Sequence, residues 1–397
     1  MKTYYLSNLY EKDKAANDLI SFLENQFKEI EGCIYYAFPI IKEMDMPEVY
    51  PNVFFVSNEY GIYAFVCDEI TEDRDNGIKR IADKCATLDS QIYSKLIKNK
   101  KLCKTPRNLK LNFEVKMYLP NFNDYTTNEE NVFTSKKEIE KYIEENKNES
   151  NDEDLVFEVM STLEATDAII KPKAREINIE NKNSKSYVLS KLEADIARFD
   201  DMQRVAALSM LDGPQRIRGL AGTGKTIILC MKAAMLHYRY PDKQILYTFY
   251  TKSLYDYIQQ LITRFFIKIS DGRIPDFENH ILIKHAWGGQ NLKGVYYDTC
   301  ISNNIKPLVL GDVREKENPF DYICNDLIVK SEAKLNKDYD VILIDEAQDF
   351  SSSFYQLCRL IVKDDNLIWG YDELQNIFNV KIQNTLETFR NCYQRKM

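Results

Sequence analysis

The sequence predicts two α/β domains in tandem, on three observations. Helical and β-rich runs alternate before residue 134. A complete glycine-rich octet opens a helix pattern at residue 219, and an apolar strand run at 341–344 ends in acid. The 397 residues suit two domains, each with its own core, and 53 Lys plus Arg against 61 Asp plus Glu leave a net charge of −8. With 44% apolar and 29% charged residues the composition is that of an ordinary soluble chain. No apolar run approaches the ~20 residues of a membrane span, and residues 1–10 lack the pattern of a secretion signal, so a cytoplasmic protein is expected. Nine scattered cysteines, never spaced as CxxC, argue against a disulfide framework and a zinc site; three histidines argue against histidine-rich metal catalysis. An acidic chain is no blanket nucleic-acid coat, so any such contact must come from a local groove.

Taken in order, residues 15–30 carry apolar positions at Leu19, Ile20, Phe22, Leu23 and Phe27, one helical face. The period then changes. Residues 33–41, 52–57 and 61–67 are β-rich, and Asn58-Glu59-Tyr60-Gly61 reads as the turn of a hairpin. A long helix is predicted over 75–96 and a strand over 111–119. A polar stretch follows over 134–186, with a short helix at 135–142 and an exposed loop at 144–154. The division is therefore 1–133, a linker with helices at 134–189, and 190–397, with the boundary near Ser186.

The helix, three strands, helix, strand order of the first part, with Val53-Phe54-Phe55-Val56 and Gly61-Ile62-Tyr63-Ala64-Phe65-Val66, resembles the nuclease-related (NERD) branch of the PD-(D/E)xK nuclease fold. That fold needs carboxylates to hold a divalent metal and a lysine to help activate water. Laid on Gly61, the family pattern puts Asn52, Val66 and Asp68 where Asp, Glu and Lys belong. The resemblance thus implies a degenerate domain without nuclease chemistry; neighbouring Asp68 and Glu69 keep an active metal-dependent nuclease as an open third reading.

Gly219-Leu220-Ala221-Gly222-Thr223-Gly224-Lys225-Thr226 fits G-x-x-x-x-G-K-[ST] at every position. Glycines let successive N–H groups converge on phosphates, the lysine reaches the β and γ phosphates, and the threonine hydroxyl ligates Mg²⁺. A helix predicted over 226–238 turns its N-terminal dipole on them. The preceding strand, Arg216-Ile217-Arg218, is poor in apolar residues for a buried parallel strand. Further on, Val341-Ile342-Leu343-Ile344-Asp345-Glu346-Ala347-Gln348-Asp349 reads as a buried strand delivering carboxylates to its C-terminal edge. Asp345 is the candidate Mg²⁺ holder and Glu346 the candidate base that orients the attacking water.

Asp-Glu-Ala-Gln-Asp behind a phosphate loop resembles superfamily 1 helicases of the UvrD/Rep type, whose ATPase domain is a RecA-like parallel sheet with a P-loop. Four more segments fit that family in order. Phe199-Asp200-Asp201-Met202-Gln203-Arg204 resembles the Q motif, which implies that Gln203 reads adenine. Thr248-Phe249-Tyr250-Thr251-Lys252-Ser253 and Ile283-Lys284-His285-Ala286-Trp287-Gly288 resemble segments that touch single-stranded DNA. Gly370-Tyr371-Asp372-Glu373-Leu374-Gln375-Asn376-Ile377-Phe378 implies Gln375 as γ-phosphate sensor and Phe378 as a stacking residue. Phe249, Tyr250, Trp287 and Phe378 would then be base platforms, with Lys252 and His285 near the backbone phosphates.

What the resemblance implies is an ATP- and Mg²⁺-dependent ATP hydrolase acting with single-stranded DNA, RNA being possible. The family's second motor domain, with its arginines, is not expected within this sequence, and Asn391-Cys392-Tyr393-Gln394-Arg395 resembles the family's Asn-Tyr-Arg segment with an extra residue between Tyr and Arg. Slow hydrolysis and no unwinding by the chain alone are expected, with a second motor domain or another subunit acting in trans; such arginines are worth about 10³–10⁵ in rate. The competing reading is a non-hydrolysing ATP-binding regulatory or assembly module. A GTPase is disfavoured because no Asn-Lys-x-Asp segment follows the loop.

Overall fold

The computed structural model describes residues 1–42, 47–69, 74–122, 131–147, 154–166, 201–209, 213–220, 222–251, 254–290 and 292–372. It is α/β throughout, and its contacts divide the chain into two units, Met1–Met210 and Leu211–Met397.

The first unit runs β1 (Lys2–Tyr5), α1 (Lys14–Gln26), β2 (Gly32–Tyr36), β3 (Val53–Ser57), β4 (Gly61–Cys67), α2 (Arg74–Ile97), a small hairpin of β5 (Cys103–Thr105) and β6 (Asn108–Leu109), β7 (Phe113–Tyr118), β8 (Val132–Phe133), α3 (Lys136–Glu145), α4 (Leu155–Leu163) and α5 (Asp201–Leu208). Its main sheet has the order β1-β2-β3-β4-β7-β8, antiparallel across β2-β3-β4 and parallel elsewhere. Strands β2, β3 and β4 are buried at every residue. That is why they read as continuous apolar runs rather than as alternating ones. On one face Leu19, Ile20 and Leu23 of α1 and Ile139 and Ile143 of α3 close over Val53, Phe55, Tyr63 and Phe65; α2 packs against β4 and β7 and against α4.

The polar stretch after residue 134 holds more structure than its composition suggests. Ser135 caps α3 through a reciprocal bond with Glu138, the S-x-x-E box. Leu155-Val156-Phe157-Glu158-Val159-Met160 forms the buried helix α4 within this stretch. The sequence puts the division near Ser186, whereas the contacts put it after Met210. A buried ion pair ties α5 into the first unit: Arg204 donates to Glu164 just past α4, Nε to Oε1 at 2.7 Å, and the Tyr35 hydroxyl donates to the same carboxylate at 2.9 Å.

The second unit is a five-stranded parallel sheet. Its elements are β9 (Gln215–Arg218), α6 (Lys225–Arg239), β10 (Ile245–Phe249), α7 (Tyr255–Ile269), β11 (Ile281–His285), α8 (Val295–Ser302), α9 (Leu310–Val313), α10 (Pro319–Lys330), β12 (Val341–Ile344), α11 (Ser352–Ile361) and β13 (Leu367–Tyr371). The spatial order is β11-β10-β12-β13-β9. Strand β9 is therefore an edge strand, and only Ile217 in it is buried. Edge position accounts for Arg216 and Arg218, which a central strand would not hold. Helices α6 and α7 pack together. Residues 289–340 supply α8, α9 and α10, whose Val295, Tyr296, Phe320 and Ile323 join Phe354 and Leu357 of α11 over Leu246, Ile342 and Trp369. The chain leaves β10 toward β11 and leaves β12 the other way toward β13. Connections thus diverge between β10 and β12, the position where open α/β sheets form a crevice at their C-terminal edge.

Candidate functional site

The glycine-rich loop joins the edge strand β9 to α6, and its start is tied to β13 by the Gly219 N–H, 3.1 Å from the Tyr371 carbonyl. A Cβ on Gly219 would lie 2.3 Å from the Thr223 hydroxyl oxygen, so the turn closes only around a glycine. Thr223 in turn donates to the Leu220 carbonyl at 2.7 Å. Gly224 takes a left-handed conformation, φ 76° and ψ 21°, as the residue that caps α6. The first N–H groups of that helix have no partner inside the helix, so they and its dipole present a site for an anion.

Lys225 is the first residue of α6. Its side chain is buried and folds back on its own loop, donating to the carbonyls of Gly219 at 3.1 Å and Leu220 at 3.0 Å, with Asp372 Oδ2 at 3.6 Å. Asp345 follows β12, wholly buried. Its Oδ2 accepts from the Tyr247 hydroxyl at 3.0 Å and its Oδ1 from the Glu346 N–H at 3.0 Å. Burial pushes its carboxyl up to about 6; a hydrogen bond from Thr226 opposes this, the Glu346 charge adds to it, and the bonds from Tyr247 and the Glu346 backbone oppose it again. Gly370 of β13 lets the start of α6 and Asp345 approach: a Cβ there would meet Leu229 at 3.0 Å, the Lys225 Cβ at 3.5 Å and Asp345 Oδ1 at 3.8 Å.

Glu346 sits at φ 47°, ψ 48°, a left-handed conformation that costs a non-glycine residue ~1 kcal/mol or more. Its carboxylate accepts from Gln348 Nε2 at 2.7 Å, and Gln348 Oε1 accepts from the Asp372 N–H at 3.1 Å. A chain of hydrogen bonds thus runs from Glu346 to the end of β13. Burial, and then the Glu346 charge, raises Asp349 to about 6 as well. Accumulated carboxylates of this kind favour a cation. Among the described residues, however, no group of three acidic, His or Cys side chains stands ready to hold a metal alone. Thr226 and Asp345 are the oxygen donors at this point that could hold a hard divalent cation together with other ligands.

The remaining sequence candidates are placed as follows. Gly222 and Thr223 belong to the loop, whereas Ala221, Lys252, Gln375 and Phe378 lie outside the described residues. Gln203 is half-buried on α5 in the first unit. Phe249 is a correction: it is 1% exposed in the interior strand β10 and has no face to offer a base. Tyr250 and Trp287 are half-buried and lie on a cluster of aromatic rings, Tyr250 edge-on to Phe320 and Phe350 at 5.9 and 5.7 Å, Trp287 tilted on Phe320 at 5.6 Å. His285 Nδ1 accepts from the N–H groups of Trp287 and Gly288, at 3.2 and 3.3 Å. That nitrogen shapes the turn and is not a donor toward phosphate. Tyr247, Gln348 and Asp372 join the site through hydrogen bonds that their motifs do not announce. Tyr247 in particular is indistinguishable by pattern from any aromatic residue of a buried strand.

In the first unit, Asn52 donates to Asp13 Oδ2 at 2.8 Å and accepts from the Cys67 N–H at 3.1 Å and the Lys84 ammonium at 3.4 Å. Val66 is core, and Asp68 pairs with Arg80 at 3.2 Å. Burial lowers the Lys84 ammonium, with the surrounding Cys67, Cys85 and Asp13 opposing.

No family model matches the chain, and no curated protein matches it.

Proposed function

We propose that the chain is an ATP-binding, DNA-dependent ATPase module of superfamily 1 helicase type, its second unit RecA-like and its first a degenerate nuclease-like domain. One observation carries the reading: a Cβ placed on Gly370 would lie 3.5 Å from the Lys225 Cβ and 3.8 Å from Asp345 Oδ1, so the start of α6 and the carboxylate at the end of β12 meet at one edge of a parallel sheet.

In this reading the loop N–H groups and Lys225 bind the phosphates, and Thr226 and Asp345 hold Mg²⁺, which when bound neutralises phosphate charge. Glu346, held by Gln348, orients a water and takes its proton. Tyr250 and Trp287 remain the candidates for stacking against single-stranded nucleic acid, and a cationic group in trans is the further partner hydrolysis calls for. Steady-state ATP hydrolysis with and without single-stranded DNA, beside Lys225→Ala and Glu346→Gln, tests it. DNA-stimulated turnover lost in both variants supports the reading; turnover indifferent to both sinks it.

A second reading has its own observation. Lys225 is engaged by two loop carbonyls and Asp372, and Glu346 by Gln348, an arrangement suited to holding nucleotide without turnover. Binding through Lys225 with no hydrolysis under any nucleic acid would favour this regulatory module.

A further inference from the structure

Tyr247 lies two positions behind Asp345 on the neighbouring strand, since β10 and β12 run parallel with Tyr247 opposite Leu343. Leu343 and Asp345 share a face of β12, so the Tyr247 side chain reaches Asp345 diagonally across the ladder. The ring is 0% exposed, and the hydroxyl donates to Asp345 Oδ2 at 3.0 Å while accepting from the Cys230 thiol of α6 at 3.7 Å. One phenol thus joins the helix behind the loop, the strand β10 and the acidic end of β12. On the opposite flank of Asp345 stands Gly370, with no side chain to press on it.

A carboxylate held on one oxygen can rotate; one held on both cannot. With Oδ2 bonded by Tyr247 and Oδ1 by the Glu346 N–H, the plane of the Asp345 carboxylate is set before any metal arrives. Outer hydrogen bonds of this kind govern metal affinity, with losses of about 10–100-fold when they are removed. A phenylalanine at 247 would fill the same space and leave Oδ2 buried without that donor.

We infer that Tyr247 is a positioning residue for Asp345, fixing its carboxylate for Mg²⁺ in the nucleotide-bound protein. The inference rests on the proposed ATP site and adds to it a residue that touches neither nucleotide nor metal.

The test is an equilibrium titration of the full chain with a fluorescent ATP analogue, in EDTA and across Mg²⁺ concentrations, for wild type, Tyr247→Phe and Asp345→Ala. Tyr247→Met is run beside them, because it also lacks the hydroxyl but packs differently. The expected result is a half-saturating Mg²⁺ concentration about 10-fold higher in both Tyr247 variants, with affinity in EDTA unchanged. A merely structural role would alter affinity in EDTA as much as in Mg²⁺. If Asp345→Ala abolishes the Mg²⁺ effect while both Tyr247 variants keep the wild-type requirement, the inference is overturned and the ATP site stands. If wild type binds no nucleotide in either condition, the ATP site falls and takes the inference with it.

Discussion

The ammonium of Lys225 stands 3.6 Å from Oδ2 of Asp372, both side chains being buried, so the lysine of the glycine-rich loop already has an anionic neighbour just past β13. In the proposed nucleotide site, a phosphate entering the loop would exchange for that contact. Asp372→Asn removes the charge and leaves the two loop carbonyls. The ligand-free protein should then lose about 1–3 kcal/mol, the cost of a buried charged group short of a partner. ATP·Mg²⁺ should raise the melting temperature of the variant by more than it raises that of wild type, because the ligand supplies the missing anion. A smaller ligand-induced rise, read by scanning fluorimetry, would mean that Asp372 assists phosphate binding instead of competing with it.

Asp345 should cost the ligand-free fold stability. Burial raises its carboxyl from 3.8 to about 6. Between those values the unfolded chain ionises first and the folded chain holds the extra proton, so this group's contribution falls as pH rises and is fully lost above about 6. Asp345→Asn should therefore stabilise the protein by about 1–2 kcal/mol at pH 7.5 and by little at pH 4, while ending Mg²⁺-dependent nucleotide binding. Melting curves at the two pH values decide, and a variant less stable than wild type at pH 7.5 contradicts the account.

Lys232, 1% exposed on α6, runs the other way in charge. Burial lowers its ammonium from 10.5 to about 7. From pH 7 to 10.5 the unfolded chain keeps a proton the folded chain releases, so stability rises with pH across that window and the full penalty applies below it. Lys232→Met should remove this slope and add on the order of 2 kcal/mol at pH 7. Urea titrations at pH 7 and 9.5 compare the two proteins, and an equal pH response in both would refute the assignment.

The Arg204–Glu164 pair holds α5 and the residue after α4 in one unit. Glu164→Ala leaves a buried guanidinium without its carboxylate and should cost about 3–5 kcal/mol, whereas Tyr35→Phe removes one hydrogen bond and should cost about 1 kcal/mol. Urea denaturation of the full chain gives both figures. A Tyr35→Phe loss equal to that of Glu164→Ala would show that the ion pair is not what binds these helices.

Much of this was legible in residue order. The runs at 53–57, 61–67 and 341–344 are strands because continuous β-branched and aromatic residues can be buried on both faces, and the octet at 219–226 opens a helix as its glycines require. Other features were hidden by composition. The helix Leu155–Leu163 lies in a stretch dominated by Lys, Glu and Asn, and Arg204 belongs to the first unit through a partner forty residues earlier. Phe249 shows the opposite failure: motif position suggested a surface role, and the interior place of β10 between β11 and β12 buries it.

Sequence alone determined the local pieces: a loop whose glycines permit its turn, a lysine and threonine placed at a helix start, and carboxylates placed at a strand end. Such features depend on neighbours along the chain, which the order of residues states directly. Tertiary structure decided which of them meet. Strand order brought Tyr247 to Asp345, a bare Gly370 admitted Lys225 beside them, and the end of β13 brought Asp372 to the lysine. These contacts join residues up to 147 positions apart (372 − 225) across parallel strands, and only the sheet's order, which no local pattern contains, sets them.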